Sequence, residues 1–243
     1  MKRAFSQIAA QRVCWAMPSH LSPARAAPRV LGLYAGAPRP LGGGRPSAIV
    51  KEALHGPALL GLNGLAGDQQ ADRRLHGGPL KALHLFPTSH YALLAARFPA
   101  IGELLVPGSI GENVALDGLD ENSVCLGDVY RLGAALVEVT QPRSPCAKID
   151  RRYGEDGVAR WLQQAGRCGW YCRVLEAGEV ASGDALTLLV RAPDAVSLAR
   201  FHAVLGEPRP PLPLLERLAG FEPLGPDWLK KLRGRLAWLA RHT

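Results

Sequence analysis

The sequence predicts a mainly β fold with some α-helix, in the α+β class: a β-rich barrel or sandwich over residues 29–191, followed by a three-helix segment over 192–243. Short apolar runs separated by Gly, Pro and Asp recur from Val30 onward, at a spacing typical of a barrel or sandwich rather than of parallel βαβ units. After Arg191 the apolar residues take the 3.6-residue spacing of helices. Residues 1–28 follow neither pattern, and we expect a disordered basic extension there.

Eight apolar runs between turn signals are predicted as strands. They are VLGLYAG at 30–36, SAIVKEAL at 47–54, LKALHLF at 80–86, ENVAL at 112–116, VCLGDVYRL at 124–132, AALVEVTQ at 134–141, WYCRVLE at 170–176 and ALTLLVR at 185–191. Two short helices interrupt them, at 89–98 and 158–164, where apolar residues recur with helical spacing. The dipeptide Gly-Asp at 127–128 and again at 183–184 predicts a turn whose carboxylate binds its own backbone.

Three helices are predicted at the end of the chain, at 196–205, 212–220 and 226–242. Pro226 suits the first turn of the last of them. This helix carries a single apolar stripe, formed by Trp228, Leu229, Leu232, Leu236 and Leu239. Its Lys and Arg residues lie largely off the stripe, so we expect the stripe to dock on the β-rich body and the basic side to face water.

Composition and charge exclude several classes of protein. The 243 residues are 47% hydrophobic and 21% charged, which is typical of a globular chain, and no run approaches the roughly 20 apolar residues of a membrane span. The net charge is +8, but residues 1–45 hold seven basic residues and no acidic one, so nucleic acid is not an expected partner of the body. Five cysteines without a C-x-x-C pair indicate a reducing, cytoplasmic compartment.

The densest polar segment covers residues 61–87, where a Gly-Gly-Pro turn leads directly into a strand. Consecutive glycines let backbone N–H groups approach an anion closely, and basic side chains stand nearby. The segment therefore predicts a cradle for a phosphate or another polar ligand; the alternative is a solvated hairpin. The candidate binding groups are Arg73, His76, Gly77, Gly78 and Lys81.

A second candidate segment follows the predicted strand that ends near Thr140. Two prolines stiffen the loop, and we expect Ser144 to cap a short helix that has Cys146 in its first turn, where the helix dipole stabilises a thiolate. Arg143 acts in the same direction. A thiolate held in this way suits a nucleophile or a soft-metal ligand. The alternative is a small buried cysteine of structural importance only.

The run IGENV supplies one more pair of candidates. Glu112 and Asn113 follow a Gly turn, where Glu112 could orient a hydrogen-bond donor or act as an acid or base. A solvated carboxylate in an ordinary turn explains the same pattern, so the residues alone leave the choice open.

The order of GDQQAD, LHGGPLKALHLFP, IGENV, LGDVYRLGAALVEVTQPRSPC and GWYCRV resembles the MOSC domain family, and in particular its YiiM-like branch of small bacterial proteins that close with three helices. The resemblance covers about residues 30–190 and rests on five motifs in a fixed order. It implies a β-barrel-like domain of the pyruvate-kinase type. It also implies the molybdenum cofactor, a pterin dithiolene with a phosphate, and the reduction of N-hydroxylated compounds such as 6-hydroxylaminopurine.

The resemblance also implies roles for individual residues. The cysteine motif falls on Cys146, which would coordinate molybdenum, and Arg143 and Ser144 precede it in the same motif. The HGG motif falls on His76, Gly77 and Gly78, and the GEN motif falls on Glu112 and Asn113. Either His76 or Glu112 could supply the proton that leaves with the hydroxyl group. Electrons would come from a separate flavin or iron–sulfur reductase, and a homodimer is an expected assembly.

Two other functions compete with this interpretation. The same thiolate could carry the cofactor or a persulfide in transit, without turnover of a substrate. The basic N-terminal segment and the basic last helix could instead bind nucleic acid, although the near-neutral body argues against that function.

Overall fold

The computed structural model describes residues 27–42, 46–71 and 77–242. The strands are β1 Arg29–Ala35, β2 Glu52–Ala53, β3 Ala58–Gly61, β4 Gly64–Leu65, β5 Leu83–Pro87, β6 Val114–Asp117, β7 Val129–Leu132, β8 Ala135–Pro142, β9 Trp170–Glu176, β10 Gly178–Val180 and β11 Leu186–Val190. The α-helices are α1 Ser89–Arg97, α2 Lys148–Tyr153, α3 Val158–Ala165, α4 Leu198–Gly206, α5 Leu212–Ala219 and α6 Pro226–His242. Two 3₁₀ helices are formed by Pro79–Lys81 and Pro99–Leu104.

Eight strands form one mixed sheet in the order β11-β7-β8-β9-β5-β6-β1-β2, and β10, β3 and β4 form a small second sheet. The predicted mainly β class with added helices is confirmed. One pair of strands in the large sheet, β5 and β6, is parallel. A parallel pair needs a crossover connection, and α1 lies on that crossover. The other strand pairs are antiparallel.

The large sheet coils until β1, next to one edge, approaches the residues that precede β11 at the other edge. A single bridge joins Arg29 to Ala185, and Val30 donates a backbone hydrogen bond to Asp184. Within the described residues this contact does not close a continuous barrel. The Gly-Asp turns beside it form as predicted: Asp184 accepts from the backbone N–H of Ala181 at 2.7 Å, and Asp128 accepts from that of Cys125 at 2.8 Å.

Two of the predicted strands are much shorter than their apolar runs. In the run 47–54 only β2 is extended, because the Lys51 side chain turns inward to pair with Asp68. In the run 124–132 only β7 is extended, because the first half is the turn closed by Asp128. The small second sheet was not predicted, since its strands are two to four residues long and contain glycine.

The three C-terminal helices share a hydrophobic cluster with the large sheet. Trp228, Leu232 and Leu239 of α6 are buried in this cluster, which confirms the predicted apolar stripe. Full burial of such side chains contributes roughly 1.5–3 kcal/mol each. The indole N–H of Trp228 donates to the carbonyl oxygen of Pro142 at 3.0 Å, and this bond fixes the start of α6 against the end of β8.

A second cluster holds the other end of the molecule together. It contains Phe86, Tyr91, Leu94, Ile149 and Leu162, which come from β5 and α1–α3. The two clusters hold opposite sides of β5, so that this central strand is buried along its whole length. No helix of the described residues is long and apolar enough to span a bilayer.

Candidate functional site

A cleft opens where the start of β5 and the end of β8 meet the loops that precede β2, β5 and β6. The cleft is lined by Ser47, Ala48, Ile49, Lys51, Asp68, Gln69, Gln70, Ala71, Lys81, His84, Gly111, Asn113, Arg143, Cys146, Lys148 and Tyr171. Both segments that the sequence singled out therefore contribute to one site, since Lys81 and Cys146 line the same cleft.

Cys146 is partly exposed in this cleft, and its thiol is free. The helix that was expected to contain it begins later: the N-cap of α2 is Ala147, without a side-chain cap, and the carbonyl of Cys146 accepts from Ile149 at 3.0 Å. The expected cap by Ser144 is thus wrong, because the helix begins at Lys148 with Ala147 as its N-cap. The side chain of Ser144 is exposed and does not line the cleft. The stiff loop after β8, rather than a helix dipole, presents the sulfur.

The other described cysteines are in a different environment. Cys125, Cys168 and Cys172 are buried, and burial raises the pKa of each thiol. The carboxylates of Asp128, Glu121 and Glu138, in that order, act in the same direction. These thiols remain protonated at neutral pH and do not line the cleft. Cys146 is consequently the single described cysteine that a ligand in the cleft can reach.

Arg143, three residues before Cys146 in the chain, is buried and also lines the cleft. Its Nη2 donates to the carbonyl oxygen of Ile110 at 2.9 Å, while Nη1 is buried with no hydrogen-bond partner among the described residues. A buried guanidinium N–H without a partner costs free energy. Because Arg143 also lines the cleft, an anionic ligand would satisfy this group.

His84 lies in the middle of the buried strand β5 and is a site residue that the sequence reasoning missed. Its Nε2 lies 3.3 Å from the carbonyl oxygen of Cys168, and its Nδ1 has no partner among the described residues. Burial, and then the charge of Arg143, hold the pKa of His84 well below its usual value. The imidazole is therefore neutral at neutral pH. Its ring packs 5.2 Å from that of Tyr171, which also lines the cleft.

Another group of residues in the cleft forms a completed hydrogen-bond network. Asp68 Oδ1 accepts from Lys51 Nζ at 2.5 Å and from the backbone N–H of Gly36 at 2.9 Å, and Asp68 Oδ2 accepts from Asn113 Nδ2 at 2.8 Å. Asn113 also donates to the carbonyl of Tyr34 and accepts from the backbone N–H of His84. We call Lys51, Asp68 and Asn113 the paired wall, and His84, Arg143 and Cys146 the open wall.

Glu112 faces away from the cleft, although both of its chain neighbours line it. The carboxylate is fully buried, and its Oε1 accepts from Tyr91 Oη at 2.5 Å and from the backbone N–H of Gly108 at 2.6 Å. Burial raises its pKa. In this arrangement Glu112 holds its own loop through Gly108 and does not line the cleft, which favours a structural role over action on a substrate.

The remaining predicted residues divide into three groups. Lys81 lines the cleft and forms an ion pair with Asp227 at 3.7 Å. Gly77 and Gly78 precede the 3₁₀ helix Pro79–Lys81 and do not line the cleft, although Gly78 has a positive φ of 91° that requires glycine. Arg73 and His76 lie outside the described residues.

Positive charge predominates in the cleft. Four cationic side chains line it, against the single carboxylate of the paired wall; they are Lys51, Lys81, Arg143 and Lys148. Lys51 is already neutralised by Asp68, with only 7% of its side chain exposed. The excess cations favour an anionic ligand. No cluster of three or more metal-ligating side chains occurs among residues 27–42, 46–71 and 77–242, so protein ligation of a metal here would rest on few groups.

The chain is similar to several known proteins along most of its length. Residues 72–187 match the MOSC domain. The protein YiiM of Escherichia coli is 42% identical over 151 residues, which are 62% of this chain and 67% of that protein. The uncharacterized protein YflK of Bacillus subtilis is 35% identical over 202 residues, which are 82% of this chain and 90% of that protein.

A longer relative and two solved structures complete the comparison. A protein of Gibberella moniliformis named a reductase is 37% identical over 152 residues, but these cover only 27% of its length. The crystal structure of YiiM from Geobacillus stearothermophilus has a TM-score of 0.72 and 28% identity, covering 86% of this chain and 99% of that one. YiiM from Escherichia coli gives 0.70 and 30%, covering 86% and 92%. The chain belongs to the MOSC domain family, in its YiiM-like branch.

Proposed function

We propose that this protein is a molybdenum-cofactor-dependent reductase of N-hydroxylated compounds, with 6-hydroxylaminopurine-type bases and hydroxylamines as substrates. The observation that carries the proposal is the open wall: a free, partly exposed thiol lines the same cleft as a buried guanidinium whose Nη1 has no partner among the described residues. Membership of the MOSC family and the relative named a reductase support an enzyme that uses molybdenum and sulfur.

The residues of the cleft fit the molybdenum cofactor. A thiolate is a soft ligand that suits molybdenum, and Cys146 is the described thiol that can reach the cleft. Arg143, Lys81 and Lys148 supply positive charge for the pterin phosphate, and the unpaired Nη1 of Arg143 is a donor in need of an acceptor. We assign Arg73 and His76 to the same phosphate as part of the proposal, whereas Gly77 and Gly78, which do not line the cleft, shape the turn that leads to Lys81. Asn113 acts indirectly, because its amide is already bonded.

The bound cofactor would supply the two-electron redox chemistry that converts an N–OH group to N–H. The net reaction consumes two electrons and two protons and releases one water molecule. The electrons come from a separate flavin or iron–sulfur reductase in a reducing cytoplasm.

The chain's own groups position and polarise the reactants. Neutral His84 and the cation Arg143 contribute a hydrogen-bonding nitrogen and a fixed charge at the open wall. A histidine that stays neutral cannot give up an imidazolium proton. Glu112 is sealed behind the 108–112 loop. We therefore assign the proton delivered to the departing hydroxyl group to His76 or to water.

The test compares two cysteine variants prepared with the cofactor. Cys146→Ser should lose reduction of 6-hydroxylaminopurine by reduced methyl viologen by at least about a thousandfold, since a hydroxyl group is a poor substitute for a thiolate. Cys125→Ser, which alters a cysteine outside the cleft, should retain activity. Full activity of Cys146→Ser would refute the assignment of the ligand. Wild-type protein that holds molybdenum but does not turn over substrate would favour the cofactor-carrier function instead.

A further inference from the structure

The last helix, α6, has an excess of positive charge that residues 46–225, taken together, do not have. Its 17 residues hold five Lys or Arg and one Asp, whereas residues 46–225 hold 17 basic and 20 acidic residues. A cationic helix beside a slightly acidic segment produces a local positive field. Such a field steers a partner of opposite charge towards one surface.

The cations of α6 fall into two groups. Lys231 lies over the ring of Trp228 at 4.3 Å, and Arg235 binds the carbonyls of Glu207 and Pro208 at 2.7 Å each. Those two side chains stabilise the fold. Lys230, Arg233 and Arg241 are exposed and have no ion-pair or hydrogen-bond partner among the residues that the structure describes.

The three unpaired cations lie on one stripe of the helix surface. They share it with Gly234 and Ala237, because residues 230, 233, 234, 237 and 241 are spaced to face the same way, opposite the buried Trp228 and Leu232. We call these five residues the cationic stripe. Gly234 is unfavourable in the middle of a helix, and a side chain there would meet no atom of this chain within 4 Å. Beside the stripe, Trp238 is 44% exposed. The chain itself gives no reason for a flat, glycine-containing surface at this place.

The start of α6 adjoins the proposed redox site. Trp228 Nε1 donates to the carbonyl oxygen of Pro142, next to Arg143, and Gly225 N donates to Gln141 Oε1 at 2.8 Å. Asp227 pairs with Lys81, which lines the cleft. The cationic stripe therefore begins, at Lys230, about one helical turn from the end of α6 that adjoins the cleft.

We propose that the cationic stripe is the docking surface for an acidic electron-donor protein that carries a flavin or an iron–sulfur cluster. This inference rests on the proposed reductase function, which requires two electrons from outside the chain. Charge complementarity selects an acidic protein surface, and the exposed Trp238 adds an aromatic contact of the kind enriched at interfaces. The complex is transient, because a donor must leave after each electron transfer.

The experiment uses the cofactor-loaded full chain with an acidic flavodoxin as the probe. The stripe variant Lys230→Glu/Arg233→Glu/Arg241→Glu is compared with Arg97→Glu/Arg131→Glu/Arg160→Glu, which makes the same charge change at exposed sites elsewhere. We expect the stripe variant to lower the second-order rate constant with reduced flavodoxin about 10- to 100-fold at low salt, and much less at about 0.5 M salt. The control variant should change it less than about threefold.

Two further measurements separate the explanations. Turnover driven by reduced methyl viologen, a small cationic donor, should be unchanged in the stripe variant. If the wild type itself shows no turnover with this donor, the reductase function is refuted. Gly234→Leu should slow the flavodoxin reaction several-fold without lowering the melting temperature, since its side chain projects into open space. Equal rates for wild type and stripe variant with flavodoxin would overturn the docking surface alone. A stripe variant that loses binding to a DNA duplex but keeps the wild-type rate with flavodoxin would also overturn the proposed docking surface.

Discussion

The two walls of the cleft differ in how completely their polar groups are paired. On the paired wall, both oxygens of Asp68 and both groups of the Asn113 amide are bonded within the chain. On the open wall, nitrogen atoms of His84 and Arg143 are buried without a partner. A fully bonded network specifies a structure, whereas unpaired buried donors and acceptors are expected where a ligand completes them. The comparison assigns stability to one wall and binding to the other.

Removing the carboxylate of the paired wall should give the largest effect on folding. Asp68→Ala leaves Lys51, 7% exposed, without its counter-ion, and also leaves the backbone N–H of Gly36 without an acceptor. The loss of one partner from such a buried pair costs about 3–5 kcal/mol. Urea unfolding measures this change. The matched substitution on the open wall, Cys146→Ser, should alter the free energy of unfolding by less than about 0.5 kcal/mol.

Equal destabilisation by these two variants would abolish the distinction between the walls. An effect of Asp68→Ala below about 1 kcal/mol would do the same, because it would place that carboxylate among weakly coupled surface charges.

Substitutions of Glu112, which is buried and does not line the cleft, test the comparison of the two walls further. Glu112→Ala removes the acceptor of Tyr91 and of the Gly108 N–H, and should cost about 2–3 kcal/mol of stability. Glu112→Gln keeps an acceptor oxygen and removes a buried charge, so reductase activity should stay within about twofold of the wild type. A Gln variant that folds normally but has lost its activity would show that this carboxyl group supplies the proton.

Substitution of Arg143 tests whether the open wall binds the ligand. Arg143→Lys preserves the positive charge but removes the planar guanidinium group. With that group the variant loses both the donor to the carbonyl oxygen of Ile110 and the unpaired Nη1. We expect the pterin to be retained about tenfold less well, which corresponds to about 1.4 kcal/mol. Dissociation of the fluorescent pterin during dialysis measures the change. Arg151→Lys, on the exposed side of α2, is the control, and an equal effect there would contradict the assignment.

The smallest effect is a dependence of stability on pH. Burial lowers the pKa of His84 and of His202 in the folded chain, so below pH 6.5 the unfolded chain binds protons that the folded chain does not. Stability should therefore fall as the pH falls below 6.5, by at most about 1.4 kcal/mol per pH unit for each group. Urea unfolding between pH 5 and 7.5 tests this. His84→Gln should make the slope shallower, and an unchanged slope would contradict the neutral state of His84.

Much of the fold could be predicted from local patterns. β9 has the bounds of its apolar run, and α6 begins at Pro226 as capping rules require. The parallel pairing of β5 with β6 could not be predicted, because it depends on which strands meet across α1. The short strands β3, β4 and β10 escape any method based on periodicity.

Site residues that belong to a sequence motif were predicted. Site residues whose role depends on their burial were missed. Cys146 and Lys81 stand in loops rich in Gly and Pro, and they do line one cleft. His84 and Lys51 stand within apolar runs, where a single polar residue predicts neither partner nor direction. Glu112 had a suggestive position, but one step along the chain turns a side chain to the opposite face. For the missed residues, the one available signal in the sequence was Lys51 inside an apolar run, since a buried cation needs a counter-ion.

Metal and phosphate analysis of the purified protein tests the central claim most directly. The account predicts about one molybdenum atom and one pterin phosphate per chain in the wild type and in Cys125→Ser, and at least about a tenfold loss of molybdenum in Cys146→Ser. The folded state of each variant is checked by its urea midpoint. Equal molybdenum in all three proteins, or none in the wild type expressed with a cofactor supply, would contradict the account.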